Sequence, residues 1–343
     1  MKNLFFQLYN PTGLINQVMS LELAAGLSHE LNRPVIVHYA TYQADTKLYN
    51  TNKIPIFTPS RFYNKQREGF TNPEQFPHLL DLLDFDTDLI FINEKIDTFK
   101  QEQIHINDLM NNFYYSNQTI ISEDELAFAE GRGRLPLDKD LHIKLTLGWY
   151  SRFFYKRTPE LNKVISSVRF KPEYINLAKK ISASLGDFQG MHLRLSDHVK
   201  MFETTQEMFE SWLDTFQNTN MPIVLSTCEP GHKMVQDNKH RFILLDEYIV
   251  NNFAEDFKAL PFQDEVVFGL ICNLVMHDSK RFVGTSGSTF SAYIHRNRNQ
   301  KGIETWDFFD NPPKAEGSPY SWNNYPLDLG RKMWWREWPE SKC

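Results

Sequence analysis

The chain has 343 residues, of which 41% are hydrophobic and 23% charged, and its formal net charge is −6. This composition excludes disordered, collagen-like and coiled-coil chains, and the lack of a basic surplus disfavours a nucleic-acid-binding protein. The three cysteines, Cys228, Cys272 and Cys343, are far apart in the sequence. They indicate neither a disulfide framework nor a zinc site, which is typical of a reducing compartment.

No stretch of the sequence reaches the ~18 consecutive apolar residues that a membrane span requires. The amino-terminal apolar patch, residues 4–6, is shorter than the ~7–15-residue hydrophobic region of a signal peptide. We therefore expect a cytoplasmic protein without a membrane span.

The amino-terminal part of the chain predicts a strand, a helix and a second strand. Residues 5–9 form the first strand, and a turn cluster, Asn-Pro-Thr-Gly, occupies residues 10–13. Apolar residues at helical spacing predict a helix over residues 16–31. Pro34 ends this helix, and residues 35–37 form an apolar strand. Such a β-α-β unit is typical of a parallel sheet with helices outside it.

A second alternation of strands and helices begins near residue 160. Strands are predicted at residues 189–195, 222–226, 242–245 and 281–284, and helices at residues 172–185, 204–216, 263–277 and 288–298. Between the two patterns, residues 41–140 show one clear strand, residues 88–92, and otherwise predict loops and short helices.

These patterns predict an α/β protein with two doubly wound, Rossmann-like halves that face a cleft. We place the amino-terminal domain at residues 1–158 and the carboxyl-terminal domain at residues 159–330. The tail, residues 331–343, holds three of the seven tryptophans. We expect it to pack on the body of the protein, with a membrane-interface belt as the alternative.

The first candidate site lies at the turn before the amino-terminal helix. Gly13 ends the turn, and Asn16 and Gln17 follow at the start of the predicted helix. A helix start presents free N–H groups and a positive dipole end, which bind phosphate in α/β proteins. The alternative is an ordinary turn in which Asn16 is the N-cap.

The second candidate site is the strand that carries His192 and Arg194. Side chains two residues apart share one face of a strand, and ligands of open α/β sheets bind at the carboxyl ends of the strands. The planar guanidinium suits a diphosphate and stabilises charge that develops on it. The alternative is a surface arginine and a core histidine on an edge strand.

The third candidate site is the Gly/Ser/Thr-rich loop at residues 284–291, between a strand and a helix. Its amides and hydroxyls are suited to hold an anion at the helix start. The alternative is a turn in which Ser and Thr act as local caps. A nucleophile elbow is excluded, because Ser288 stands where the Gly of that motif is required.

Metal-binding patterns are weak in this chain. Asp86 and Asp88 form a literal Asp-x-Asp sequence of the kind that holds Mn²⁺ in metal-dependent glycosyltransferases, but the surrounding stretch is rich in Asp and is expected to face water. The eleven histidines include no His-Glu-x-x-His sequence. We predict no metal site.

Taken together, the order and spacing of the three candidate sites resemble the O-fucosyltransferase-like glycosyltransferases, a GT-B superfamily that uses GDP-fucose. The matching residues are Gly13, Asn16 and Gln17, then Phe170 to Pro172 before His192 and Arg194, and finally residues 282–291 followed by Ile294, Arg296 and Arg298. The chain departs from the family where Pro11 and Thr12 replace a common second glycine.

The resemblance implies an inverting, metal-independent transfer of L-fucose from GDP-fucose to a hydroxyl of a glycan or protein, without a cofactor. Arg194 would neutralise the β-phosphate, and Asn16 and Gln17 would position the sugar–diphosphate junction, next to Gly13. The nucleotide would be held by His192, Ser288, Thr289, Phe290 and Ser291. Asp264 is the candidate for recognition of the guanine, and Asp197 is the candidate general base.

Two other functions stay open at this point. The first is a metal-dependent glycosyltransferase that uses Asp86 and Asp88, whose activity a chelator would abolish. The second is a non-catalytic glycan- or nucleotide-binding protein on the same scaffold, which would bind GDP without turnover of a GDP-sugar.

Overall fold

The structure is a computed structural model. It describes residues 4–8, 14–30, 35–39, 79–84, 89–92, 103–105, 141–144, 163–164, 166–195, 204–285, 288–300 and 305–307. These residues divide into two compact units, the first ending at Lys171 and the second beginning at Pro172. The predicted domain boundary at residues 158 and 159 and the tail at residues 331–343 lie outside the described residues.

The first unit contains a parallel sheet of five strands in the order β4-β2-β1-β6-β5. Its elements are β1 (Leu4–Leu8), α1 (Leu14–Glu30), β2 (Val35–Tyr39), α2 (Leu79–Leu82), β3 (Leu83–Asp84), β4 (Leu89–Ile92), β5 (Gln103–His105), β6 (Leu141–Lys144) and β7 (Arg169–Phe170). Strands β3 and β7 form a separate antiparallel pair. The predicted β-α-β unit is confirmed as β1, α1 and β2.

Helix α1 is held by an apolar stripe. Val18, Leu21 and Ala25 are at most 1% exposed and follow one another at spacings of three and four residues, which places them on one face of the helix. Of this stripe, only Val18 belongs to the apolar spacing from which the sequence predicts the helix.

The second unit contains a second parallel sheet of five strands, in the order β10-β9-β8-β11-β12. Its elements are α3 (Pro172–Leu185), β8 (Gln189–Leu193), α4 (Gln206–Gln217), β9 (Ile223–Thr227), α5 (Lys233–Asp237), β10 (Ile243–Leu244), α6 (Leu245–Asn252), α7 (Ala254–Lys258), α8 (Glu265–Met276), β11 (Arg281–Gly284), α9 (Thr289–Gln300) and β12 (Trp306–Asp307).

Strand β8 lies at the centre of this sheet, and all five of its residues are buried. On one face, Met191 and Leu193 pack in an apolar cluster with Trp212 of α4. On the other face Gly190 lies so close to α8 that an added Cβ would be 2.8 Å from the sulfur of Met276. Helices therefore cover both faces, as expected for a parallel sheet.

The order of the second sheet reverses on the two sides of β8. The chain proceeds outward from β8 to β9 and β10, and then returns to add β11 and β12 on the other side. The gap between the carboxyl ends of β8 and β11 is therefore a topological switch point, where open α/β sheets bind ligands.

Some predictions about elements are wrong. Of residues 242–245, predicted as a strand, only Ile243 and Leu244 are in β10, and Leu245 begins α6, because a short apolar run does not distinguish a strand from a buried helix. The region predicted as loop-rich, residues 41–140, contains strand β5, which the sequence did not predict. Strand β5 pairs with β6. Among the described residues, no helix is both long and apolar enough to span a membrane.

Candidate functional site

His192 and the first turn of α9 meet at the switch point of the second sheet. His192 is 5% exposed, and its Nδ1 lies 2.7 Å from Oγ of Ser291. Its ring stacks on Phe290, with the ring centroids 4.4 Å apart. The structure thus brings together residues of the second and third candidate sites. The alternative of an edge strand is wrong, because β8 pairs with strands on both sides.

Gly284 allows this close approach of β11 and α9. A Cβ added to Gly284 would lie 2.7 Å from both Cβ and Oγ of Ser291 and 3.0 Å from Nε2 of His295. Real Cβ atoms do not approach other atoms so closely, so any larger residue would push the strand and the helix apart. The glycine is required here by space.

The start of α9 is suited to bind an anion. Helix α9 begins at Thr289, and the N–H groups of a first helical turn have no partner within the helix. Ser288 immediately precedes it and is 1% exposed, and its Oγ has no hydrogen-bond partner among the residues that the structure describes. A buried hydroxyl of this kind is costly unless a ligand or water completes it.

The first turn of α9 is also hydrogen-bonded to helix α8. The side-chain amide of Asn273, on α8, donates to the carbonyl of Phe290 at 3.0 Å, and Nε2 of His277 lies 3.1 Å from Oδ1 of Asn273. Asn273 is fully buried. These bonds connect the first turn of α9 to α8.

His295 is a neutral side chain near His192. His295 is fully buried, and burial, followed by the nearby positive charge of Arg298 and by His192, holds the pKa of His295 well below its usual range. Its Nδ1 hydrogen-bonds to Oγ1 of Thr305. A neutral His295 adds no positive charge near His192, whereas the start of α9 carries the positive end of the helix dipole.

Arg194 lies one residue beyond β8 and is partly exposed. The period of two along an extended chain places it on the same side as His192. Its backbone N–H donates to Oγ1 of Thr285 at 2.9 Å. The next N–H, that of Leu195, donates to Oε2 of Glu229 at 2.9 Å. The sequence did not single out Thr285 as a contact of Arg194, and it did not single out Glu229 at all.

The structure places Asp264 at the start of α8 as its N-cap. Its Oδ1 accepts the N–H of Val267 at 2.8 Å, and the residue is 1% exposed. Burial raises the pKa of Asp264 to about 7, opposed by the hydrogen bond from Val267. Its predicted contact with guanine stays a prediction.

In the first unit, Asn16 and Gln17 lie in the first turn of α1, which begins at Leu14. The alternative of Asn16 as the N-cap is therefore wrong, because the helix starts two residues earlier. Gly13, Asp86, Asp88 and Asp197 lie outside the described residues. Within the part of the chain that the structure describes, no cluster of three His, Cys, Asp or Glu side chains could hold a metal ion.

Comparisons with known proteins give matches of structure only. No protein-family model matches the chain, and no curated protein does. The chain is similar to a crystal structure of POFUT1 in complex with GDP, with 14% identity, a TM-score of 0.43 and coverage of 90% of this chain and 99% of that one. It is also similar to fucosyltransferase NodZ from Bradyrhizobium, with 11% identity, a TM-score of 0.46 and coverage of 86% and 92%. The activity has to be inferred from the residues of the site.

Proposed function

We propose that the chain is a GT-B glycosyltransferase that moves L-fucose from GDP-fucose to a hydroxyl of a glycan or protein, with inversion and without a metal ion. The observation that carries the proposal is the meeting of two of the three family motifs at the switch point. His192 comes from one motif and Ser291 from the other, and they are joined at 2.7 Å. Motifs far apart in sequence that share one ligand-binding edge favour a common substrate.

The diphosphate is proposed to bind at the start of α9. The N–H groups of the first turn, which have no partner within the helix, and the hydroxyl of Ser288, which has no partner among the described residues, supply donors. The helix dipole adds a partial positive charge. Thr289, Phe290 and Ser291 complete this part of the donor site. Phe290, already stacked on His192, offers an apolar surface beside the phosphates.

Arg194 is proposed to stabilise the leaving group. As the bond between the sugar C1 and the β-phosphate oxygen breaks, the electron pair stays on the phosphate, and GDP leaves with additional negative charge. A guanidinium that is already in place stabilises this charge in the transition state more than in the bound donor.

The acceptor is proposed to attack C1 from the face opposite to the diphosphate, which inverts the configuration. A bond forms between the acceptor oxygen and C1, and the hydroxyl proton passes to a general base, for which Asp197 is the candidate. The roles proposed for Gly13, Asn16 and Gln17 at the sugar–diphosphate junction, and for Asp264 at the guanine, are part of the same hypothesis.

A thermal-shift series with GDP, GDP-fucose, GDP-mannose, UDP and UDP-glucose tests the donor. GDP and GDP-fucose should raise the melting temperature, since a ligand at 100 times its Kd adds about 2.7 kcal/mol of apparent stability. A preference for UDP species would contradict the proposal.

A transfer assay with GDP-fucose and a panel of glycan and peptide acceptors follows the binding series. Release of GDP that depends on the acceptor supports the transferase. Tight GDP binding without turnover in any combination would favour the non-catalytic binding protein.

A further inference from the structure

The backbone on both sides of Arg194 is held by two side chains that follow the neighbouring strands β11 and β9. Strand β8 ends at Leu193, yet the N–H groups of the next two residues are both bonded. The Arg194 N–H donates to the hydroxyl of Thr285, and the Leu195 N–H donates to the carboxylate of Glu229, each at 2.9 Å. Thr285 directly follows β11, and Glu229 lies just beyond β9.

These two bonds control the conformation of one residue. A peptide unit is planar, so the backbone of Arg194 is described by the rotation of two planes about its Cα. The plane before it carries the Arg194 N–H, and the plane after it carries the Leu195 N–H. Because both peptide planes are held by hydrogen bonds, the direction of the Cα–Cβ bond of Arg194 is set relative to the residues that follow β9 and β11.

Each of the two residues that hold this backbone is itself anchored, Thr285 through its side chain and Glu229 through its backbone. Thr285 is fully buried, and its hydroxyl also donates to the carbonyl of His192 at 3.1 Å. The backbone N–H of Thr285 donates to the same carbonyl at 3.0 Å. Glu229 lies in a turn, where its backbone N–H donates to Oγ1 of Thr227 at 3.1 Å.

We propose that Thr285 and Glu229 are positioning residues that direct the guanidinium of Arg194 toward the leaving diphosphate. The inference rests on the proposed function, because it assigns to both residues an effect exerted through Arg194. A long side chain magnifies any tilt at its Cα, and a misplacement of about 1 Å can lower a rate by about 10²-fold.

The competing explanation is purely structural: the two side chains satisfy buried N–H groups and stabilise the fold. Both explanations expect some loss of stability when the hydroxyl of Thr285 is removed. They differ in whether the loss of activity depends on the presence of Arg194.

The first variants are Thr285→Val, which keeps the shape and removes the hydroxyl, and Thr285→Ser, which keeps the hydroxyl. Thr215→Val is the matched control, because among the described residues the hydroxyl of Thr215 bonds only within α4, to the carbonyl of Ser211. Thermal melting first establishes that each variant is folded. We expect Thr285→Val to lower kcat by about 10-fold or more with a smaller change in donor KM, and Thr285→Ser and Thr215→Val to remain near the native values.

A double-mutant cycle decides between the explanations. In the Arg194→Ala background, Thr285→Val should cause no further loss of kcat and no further change in the Kd for GDP. An equal loss in both backgrounds would overturn the positioning role and leave the proposed function intact. A native chain that neither binds GDP nor transfers from GDP-fucose would instead overturn the proposed function, and this inference with it.

Glu229→Ala provides a second route if Thr285→Val does not fold. Glu229 is partly exposed, so its truncation is easier to accommodate. It should lower kcat in the native chain and leave the Arg194→Ala variant unchanged. A loss of the same size in both backgrounds would contradict the positioning role.

Discussion

The geometry of the guanidinium, and not only its charge, is the property of Arg194 on which the proposed chemistry depends. Arg194→Lys keeps the positive charge but loses the planar fork that contacts two phosphate oxygens. We expect kcat to fall about 10²-fold or more, comparable to the loss of one donor at a developing oxyanion, while the donor Kd changes less. Steady-state kinetics together with GDP titration measure both quantities.

Arg281→Lys is the matched control for this substitution. Arg281 begins β11 and therefore lies at the amino end of its strand, opposite to the edge that carries Arg194. It should leave kcat near the native value. A folded Arg194→Ala protein with native turnover would show that Arg194, at the end of β8, does not stabilise the leaving group.

Asp264 makes the stability of the second unit depend on pH. Its pKa is about 7 in the folded chain, raised mainly by burial, against about 4 in an unfolded chain. The folded state therefore binds the proton more tightly. The resulting stabilisation is complete below about pH 4 and is lost as the pH rises to about 7.

Asp264→Asn isolates this contribution, because the amide oxygen can still accept the N–H of Val267 and cannot ionise. The free energy of unfolding of the variant relative to the native chain should rise between pH 4 and pH 7, on the order of a few kcal/mol, and then level off. Urea denaturation at several pH values measures it. Native and variant curves that stay parallel over this range would show that Asp264 does not titrate there.

At the scale of elements, the contact between β11 and α9 depends on the missing side chain of Gly284. In Gly284→Ala the new methyl group would meet Ser291 at 2.7 Å, and helix and strand would have to separate. We expect a loss of about 1–3 kcal/mol in the free energy of unfolding, as for other overpacked cores. Chemical denaturation measures this loss.

Gly269→Ala is the control for the same chemical change. Gly269 lies within α8, and an added Cβ would meet nothing within 4 Å. Because alanine favours the helix over glycine, this variant should gain about 0.5–1 kcal/mol. Equal effects at the two glycines would mean that β11 and α9 are not in close contact.

At the scale of the whole molecule, the proposal expects transfer without a divalent cation. In the proposed mechanism, Arg194 and the start of α9 would supply the positive charge that Mn²⁺ supplies in metal-dependent enzymes. Transfer from GDP-fucose should therefore continue unchanged in excess EDTA. Loss of activity in EDTA that is restored by Mn²⁺ would replace this mechanism with the alternative that uses Asp86 and Asp88.

The elements with strong local signals are those that the sequence predicts best. Helix α3 occupies residues 172–185 in the prediction and in the structure. It begins at Pro172, whose ring suits the first helical position, and it is followed by Gly186 with a φ of +69°, the conformation that favours glycine after a helix. Local chemistry alone specifies both ends.

The remaining features depend on partners that the sequence does not pair. Strand β5 has only three residues and is recognisable only beside β6. Likewise, Phe290 and Ser291 could be predicted as part of a loop that faces a ligand, but their contact with His192 depends on the strand order. The bond from Arg194 to Thr285 could not be predicted either, because it depends on the pairing of β8 with β11.

The place of β8 at the centre of its sheet has a consequence for biosynthesis. Arg194 and Thr285 are 91 positions apart in the chain. In a nascent polypeptide that has completed β8, β9 and β10, strand β8 is therefore paired with β9 but still lacks β11 on its other side. Contacts of such long range form slowly, because the loop must close before they stabilise anything. Until β11 emerges, one edge of the fully buried strand β8 is open to chaperones or to other chains. The edge proposed to bind the nucleotide is then completed late, and recovery of GDP binding during refolding would report the pairing of β8 with β11.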